Sequence, residues 1–150
     1  MLGLTSVAWA GPKDVAVDKV WVGESIPGQN SATLELNITT VAPATLLSVS
    51  STEAAKVEIH RMLHRHGKME AMIVQRLPLP AHQTVAFGSD RLFLIMVGLK
   101  KEFNIGDHIP VSLQVEYTNH RRQTIAVEAT VKKMALSYRH LGKREVHDHR

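Results

Sequence analysis

Residues 31–38 read Ser-Ala-Thr-Leu-Glu-Leu-Asn-Ile, and this stretch decides the fold class. Apolar side chains occupy every second position from Ala32 to Ile38, and polar side chains fill the positions between them. Successive side chains of a β-strand point to opposite faces, so this alternation predicts a strand with one face buried and the other in water.

Similar runs recur along the chain, separated by turn-forming residues such as Pro78 and Gly88. Several short strands at this spacing predict an all-β protein, an antiparallel sandwich or barrel. Residues 51–56 are compatible with one short helical turn, capped by Ser51 or Thr52. The predicted strands are residues 15–22, 31–38, 45–50, 56–63, 71–77, 83–87, 92–97, 110–117 and 122–131.

The composition is that of one ordinary globular domain. The chain has 150 residues, of which 44% are hydrophobic and 21% charged, and this length fits a single core. No apolar run reaches about 18 residues, so we expect no stable membrane insertion of the mature chain. Cysteine is absent, which excludes disulfides, thiolate zinc sites and cysteine nucleophiles.

The formal net charge of +4 at pH 7 is concentrated at the C-terminus. Residues 132–150 carry six basic and two acidic side chains, whereas residues 1–131 carry twelve of each. A neutral body without a basic stripe argues against nucleic-acid binding, and aromatic residues, at 5%, are too few for a base-stacking platform. We therefore expect no nucleic-acid partner and assign residues 132–150 to a separate basic tail.

The first ten residues are typical of the end of an export signal. A short apolar stretch leads into Ala8-Trp9-Ala10, which matches an A-x-A cleavage site. We expect residues 1–10 to be a signal-peptide remnant, residues 11–131 to form the folded domain, and the mature protein to be periplasmic or secreted. The alternative is a plain leader without a targeting role.

The densest chemistry lies in residues 60–72, which read His-Arg-Met-Leu-His-Arg-His-Gly-Lys-Met-Glu-Ala-Met. Residues two apart on a strand share a face, so the histidines and Met62 would lie together, opposite core-facing Ile59. Imidazole and thioether groups suit a soft ion, and without thiolates Cu(I) is the best match. Alternatively, methionines fill core gaps and outward histidines are solvated. The candidate ligands here are His60, Met62, His64, His66, Met69 and Met72.

Catalytic motifs are absent from the sequence. It contains no H-E-x-x-H, G-x-S-x-G, P-loop or G-x-G-x-x-G pattern. Glu58 and Glu70 are expected to be exposed strand and loop positions rather than an acid–base pair. We therefore expect that the protein is not an enzyme.

A series of short motifs spans most of residues 15–131. In chain order they are Trp21, Pro27-Gly28, the run 31–38, Leu47-x-Val49-Ser50-Ser51, Val57-Glu58-Ile59-His60, Gly67-Lys68-Met69, Leu77-Pro78-Leu79-Pro80-Ala81, Gly98-Leu99-Lys100-Lys101 and Gly106-Asp107-x-Ile109-Pro110-Val111. Together they resemble the periplasmic copper A chaperone family, PCu(A)C. The resemblance implies a cupredoxin-like Greek-key β-sandwich with a surface site for Cu(I).

The resemblance also implies a role and a partner. Such a protein would deliver copper to a cuproenzyme, for example to the CuA centre of cytochrome c oxidase. Its partner would be a copper-accepting protein, either an oxidase subunit or another copper chaperone.

The family's copper motif consists of a histidine, a later methionine and a final H-x-M. His60 matches the first histidine. Counted from the family's glycine-containing anchors, the methionine position falls on Ala71 and the H-x-M on Phe93-Leu94-Ile95. A register one residue later recovers Met72 and Met96, but it turns these side chains to the opposite strand face unless a β-bulge intervenes.

Three interpretations of the site remain open. The first, which we favour, is a rearranged Cu(I) site built from His60, Met62, His64, His66 and Met69, with or without Met72 or Met96. The second is a tail-assisted site, in which His140, His147 and His149 bind Cu(II). The third is a protein that has lost copper and serves as a metal-free assembly or interaction module.

Overall fold

The computed structural model describes residues 14–25 and 28–133. It confirms the all-β prediction, and the described residues form ten strands, one more than expected. The strands are β1 (Val15–Gly23), β2 (Ser31–Thr40), β3 (Ala44–Ser50), β4 (Ala54–Arg65), β5 (Lys68–Val74), β6 (Leu77–Leu79), β7 (Val85–Phe87), β8 (Leu92–Leu99), β9 (His108–Tyr117) and β10 (Arg122–Lys132).

The strands pair into one open sheet in the order β5-β4-β8-β2-β1-β10-β9-β3-β6, with β7 paired to β2 beside this path. Strand β1 pairs with β10 in parallel. Strands β3 and β4 stand near opposite ends of this order, yet β3 lines a common cleft with β4 and β5. The sheet therefore curls round, so that its two halves face each other as the layers of a sandwich.

The core lies between the layers and is built from the inward side chains of alternating strands. In β2, Leu34, Leu36 and Ile38 are buried, while the residues between them are partly exposed. In β9, Leu113 and Val115 are buried in the same alternation. The alternation read from residues 31–38 therefore marks the buried face correctly, because burial of these apolar side chains drives folding.

Strand β1 contains an irregularity that its sequence does not predict. Val15 and Val22 are both buried, although their odd separation would place them on opposite faces of a regular strand. The pairing with β2 shifts register between Asp18 and Trp21, and Lys19 adopts a left-handed φ of 53°. This bulge returns both ends of β1 to the core.

Two local predictions differ from the structure. The helical turn expected at residues 51–56 is wrong, because β4 already begins at Ala54. Ser51 instead forms a turn, in which its Oγ accepts a hydrogen bond from the Glu53 backbone N–H at 3.1 Å.

The strand expected at residues 71–77 is divided into two. Strand β5 ends at Val74, and Leu77 opens β6, which pairs with β3 instead of β4. Leu77 and Leu79 are both buried, so this short strand serves to close the core. Pro78, between them, is exposed, which is compatible with a strand at the edge of the sheet.

Candidate metal-binding site

The candidate ligands other than Met96 lie on the hairpin formed by β4 and β5. Its two strands are closed by His66 and Gly67, with φ angles of 51° and 75°, and Arg65 pairs directly with Lys68. Two central residues with positive φ are the mark of a type I′ turn, whose twist matches that of the strands. Gly67 suits this conformation because it lacks a Cβ.

One face of this hairpin collects most of the soft donor atoms. We call it the outer face, since it is opposite to buried Ile59. Residues directly opposite each other on paired strands share a face, so the pairs of β4 with β5 and β8 define its members. They are Glu58, His60, Met62 and His64 of β4, Met69, Ala71 and Ile73 of β5, and Phe93 and Ile95 of β8.

Four candidate ligands are neighbours on the outer face. His64 pairs directly with Met69, which brings their Cβ atoms within about 5 Å of each other in an antiparallel ladder. His60 and Met62 continue along β4 at two-residue steps of roughly 6.5 Å. His60 is partly buried, with 26% of its side chain exposed, whereas Met69 is 51% exposed. The set is therefore accessible from solvent.

The other predicted ligands lie elsewhere on the hairpin or sheet. His66 sits in the turn, beyond the last strand pair. Met72 pairs with Arg61 on the face opposite to His60 and is 45% exposed. Met96 is fully buried in the core, where it pairs with Val57 and Ala32. The structure brings neither Met72 nor Met96 to the outer face.

Regular pairing decides how the two copper-motif registers map onto the sheet. The register of β4 with β5 and with β8 shows no shift, so no bulge returns Met72 or Met96 to the side of His60. Ala71 pairs with Met62, and Phe93 pairs with His60. The positions of the anchored register therefore adjoin His60, and apolar side chains occupy them.

A carboxylate that sequence reasoning assigned no function orients His60. The distance between His60 Nε2 and Glu58 Oε1 is 2.9 Å, and Lys56 Nζ lies 3.0 Å from Glu58 Oε2. The hydrogen bond from His60, together with that from Lys56, holds the pKa of the Glu58 carboxyl below its ordinary value. Lys56, Glu58 and His60 follow one another at alternate positions of β4, and this spacing was the available signal for the contact.

The contact with Glu58 determines which nitrogen of His60 can bind a metal. An ionised carboxylate only accepts hydrogen bonds, so Nε2 carries the proton and donates it. The Nδ1 lone pair is then available to an ion, and a carboxylate behind the other ring nitrogen is the usual support of a histidine ligand.

The donor set limits the kind of ion that fits. Within residues 14–25 and 28–133, no three His, Cys, Asp or Glu side chains are placed to hold a metal ion. A site on the outer face must therefore use thioether sulfur as well as imidazole, which favours a soft ion such as Cu(I) over zinc, magnesium or calcium.

Two predicted segments lie outside the described residues. They are the expected signal-peptide remnant at residues 1–10 and the tail histidines His140, His147 and His149. In the part of the chain that is described, no helix has the length and apolar character needed to cross a bilayer.

Solved structures of PCuAC domains share this architecture. The copper-bound PCuAC domain from PmoF2 aligns with a TM-score of 0.66 at 17% identity, covering 81% of this chain and 94% of that chain. The solution structure of CuI-DR1885 from Deinococcus radiodurans aligns with a TM-score of 0.59 at 24% identity, covering 85% and 86%. The protein is thus a cupredoxin-like β-sandwich of the PCuAC fold class, as the motif resemblance implied.

The family follows from a match over most of the chain. The model of the LpqE-like lipoprotein family matches residues 15–131, and the chain belongs to this family. No match is found among curated proteins.

Proposed function

We propose that this protein is an exported copper carrier that holds Cu(I) on the outer face of the β4–β5 hairpin. The observation that carries the proposal is the shared face of His60, Met62, His64 and Met69. Two imidazoles and two thioethers form a donor set that selects Cu(I) when no thiolate is present. The copper-bound PCuAC domain from PmoF2 and CuI-DR1885 support the same cargo, and membership of a lipoprotein family supports export.

Exposure of the site suits a carrier better than a storage protein. Met69 and His64 are exposed, and Met62 is partly exposed, so an acceptor protein can approach the ion directly. Cu(I) would then pass by exchange of one ligand at a time to an acceptor with better ligands. We propose a copper-accepting protein as the partner, such as a cytochrome c oxidase subunit at its CuA site or another copper chaperone.

The direct test is Cu(I) binding by the full chain under reducing conditions, followed by native mass spectrometry and competition with a chromophoric Cu(I) chelator. We expect one tightly bound ion. His60→Ala should weaken binding by about tenfold or more, whereas His108→Ala, an exposed histidine at the start of β9, should not. Equal binding by wild type and His60→Ala would refute a site centred on His60.

The same assay addresses the tail. If deletion of residues 135–150 abolishes copper binding while His60→Ala does not, the ligands are His140, His147 and His149. Binding of Cu(II) rather than Cu(I) would accompany that result, because the H-D-H sequence offers nitrogen and oxygen donors only.

A second function is favoured by the apolar outer-face positions. Ala71, Phe93 and Ile95 adjoin His60 without offering a donor atom. This arrangement suits a metal-free sandwich that assists the assembly of a partner complex. Failure of the wild-type protein to bind either copper ion would select this alternative.

A further inference from the structure

Strand β5 is the longer and less protected edge of the sheet. The strand order ends in β5 on one side and β6 on the other, and no described strand pairs with the outer side of either. Strand β6 has only three residues and contains Pro78, which blunts that edge. Strand β5 has seven residues and no proline. An edge of this kind is a template for another strand.

Apolar side chains also concentrate on β5. Five large hydrophobic residues are exposed within the described ranges, and three of them are Met69, Met72 and Ile73 at 51%, 45% and 56%. Met69 and Ile73 lie on either side of Ala71 on the outer face, and Ala71 is itself exposed. A cluster of this kind on an edge strand marks an interaction surface more often than a solvated one.

The hydrogen-bond pattern shows which backbone groups of β5 point off the edge. The Met62 N–H donates to the Arg91 carbonyl at 2.8 Å, on the side of β4 away from β5. Met62 and its partner Ala71 therefore form a non-hydrogen-bonded pair, and such pairs alternate along an antiparallel ladder. The N–H and C=O groups of Met69, Ala71 and Ile73 consequently point outward.

We infer that β5 is the seam of a homodimer, in which it pairs antiparallel with β5 of a second copy about a two-fold axis at Ala71. Residues whose backbone N–H and C=O groups point off the edge of one β5 strand must face residues of the same kind on the other. Ala71 then faces Ala71 of the partner subunit, and Met69 faces Ile73 of the partner subunit. These three pairs, counting Ile73 with the partner's Met69, would each exchange two hydrogen bonds.

The side chains of β5 are self-complementary in this register. On the outer face, Met69 of each subunit packs against Ile73 of the other subunit. The exposed side chains of Met69 and Ile73 are therefore buried in the dimer. Lys68 faces Val74, and Glu70 faces Met72, so no like charges lie directly opposite. A two-fold axis at Glu70 would instead oppose two carboxylates and leave the end of the strand unpaired. The axis at Ala71 uses the whole strand.

Two-fold pairing of β5 produces a closed dimer instead of an open-ended chain of copies. A two-fold interface uses the same patch on both subunits and closes on itself. Continued growth would need the second edge, which is short and contains Pro78. The seam also joins the two outer faces into one surface, so it can coexist with the proposed copper site but does not depend on it.

Single cysteines test the register directly, because the chain has none of its own. In metal-free protein equilibrated in a glutathione buffer, Ala71→Cys should form disulfide-linked dimers, since facing residues of a hydrogen-bonded pair are about 5.5 Å apart at Cα. Met69→Cys and Ile73→Cys should each form no disulfide-linked dimer alone and should link to one another when mixed. Val41→Cys, 52% exposed away from the seam, is the matched control.

The outcomes separate the proposal from its competitors. A failure of Ala71→Cys to link faster than Val41→Cys would overturn it, whether the edge is solvated or covered by another segment of this chain. Self-linking of Met69→Cys as fast as the mixture would overturn the register. Because no metal is present, none of these results depends on copper binding.

A second experiment measures the dimer without a covalent link. Sedimentation of the wild-type chain should show a concentration-dependent shift toward twice the monomer mass. Ala71→Pro removes an outward N–H but no bond between β4 and β5, so the hairpin should survive and dimerisation should weaken about tenfold or more. Ile73→Lys should have the same effect without touching the backbone. Wild-type protein that is monomeric throughout, or that forms open-ended oligomers, would contradict the seam.

Discussion

The β4–β5 and β9–β10 hairpins have the same secondary structure and opposite relations to the core. Strands β9 and β10 lie between β1 and β3 in the sheet, and the inward side chains of β9, including Leu113 and Val115, are buried. Strands β4 and β5 end the sheet, and no residue between Ile59 and Leu77 is buried. Packing therefore constrains the β9–β10 hairpin, while the β4–β5 hairpin is open to chemistry and contacts.

The largest difference between the two hairpins should be in the free energy of unfolding that is lost when an inward leucine is truncated. Leu113→Ala removes a fully buried side chain of β9 and should lower the free energy of unfolding by about 2–5 kcal/mol. Leu63→Ala, at an inward position of β4 that is only partly buried, should cost less than about 1 kcal/mol. Urea denaturation of both variants measures the difference. Similar losses for the two would mean that the β4–β5 hairpin is packed after all.

The next contrast is in copper affinity, within the β4–β5 hairpin itself. Met69 and Met72 lie on one strand with similar exposure, 51% and 45%, but on opposite faces. Met69→Leu should weaken Cu(I) binding by about tenfold or more, since a ligand atom is lost at nearly constant volume. Met72→Leu should leave the affinity unchanged. Chelator competition at equal protein concentration measures both.

A reversal of that result would have a definite meaning. If Met72→Leu weakens binding and Met69→Leu does not, the ion lies on the inner side of the hairpin. The outer-face proposal would then be wrong, whereas the assignment of the hairpin as the copper-binding element would stand. Unfolding midpoints should be the same for both variants, which excludes a loss of fold as the cause.

Alternation predicts the packed hairpin well because burial and sequence period coincide there. In β9 the buried positions are the apolar ones, as residues 110–117 suggest, and a strand is correctly expected. The prediction is weaker where side chains are not buried. The strand predicted at residues 71–77 begins too late, because Lys68 and Met69 pair with β4 although the core does not contain them.

The candidate site is only partly predictable for a related reason. Alternation alone is enough to place His60, Met62 and His64 on one face. Adding Met69 to them requires the register of β5, which depends on the two-residue turn at His66-Gly67. A glycine between two strand runs was the available signal for that turn. The contact of Glu58 with His60 depends on side-chain conformations, which the period of the sequence does not specify.

A smaller effect should come from the support of His60. Glu58→Gln keeps an acceptor oxygen near His60 Nε2 but removes the negative charge that favours the Nε2–H form. Cu(I) affinity should fall by about threefold to tenfold, at or below the usual cost of losing a supporting group. Glu70→Gln, on the inner side of the same hairpin, is the control and should have no effect. Equal behaviour of both variants would show that Glu58 does not orient the ligand.

The smallest contrast concerns pH and the packed hairpin. Glu116 of β9 accepts hydrogen bonds from Arg76 at 2.8 Å and from Arg122 at 3.3 Å. The contact with Arg76, with that of Arg122, holds the pKa of the Glu116 carboxyl below its ordinary value of 4.5. A carboxyl with a lower pKa in the folded state adds stability above its unfolded pKa, and this stability is lost as the pH falls through the folded pKa.

The stability difference between wild type and Glu116→Gln should therefore be constant near neutral pH and should shrink as the pH is lowered below about 4.5. High salt should reduce it further, because the arginine partners are solvent-exposed. Glu128→Gln on β10, for which the described residues show no ion pair, should lack this pH dependence. Urea midpoints between pH 3 and pH 7 measure this stability difference. A difference that grows toward low pH would mean that ionised Glu116 destabilises the folded protein. The β9–β10 hairpin would then be held by packing alone.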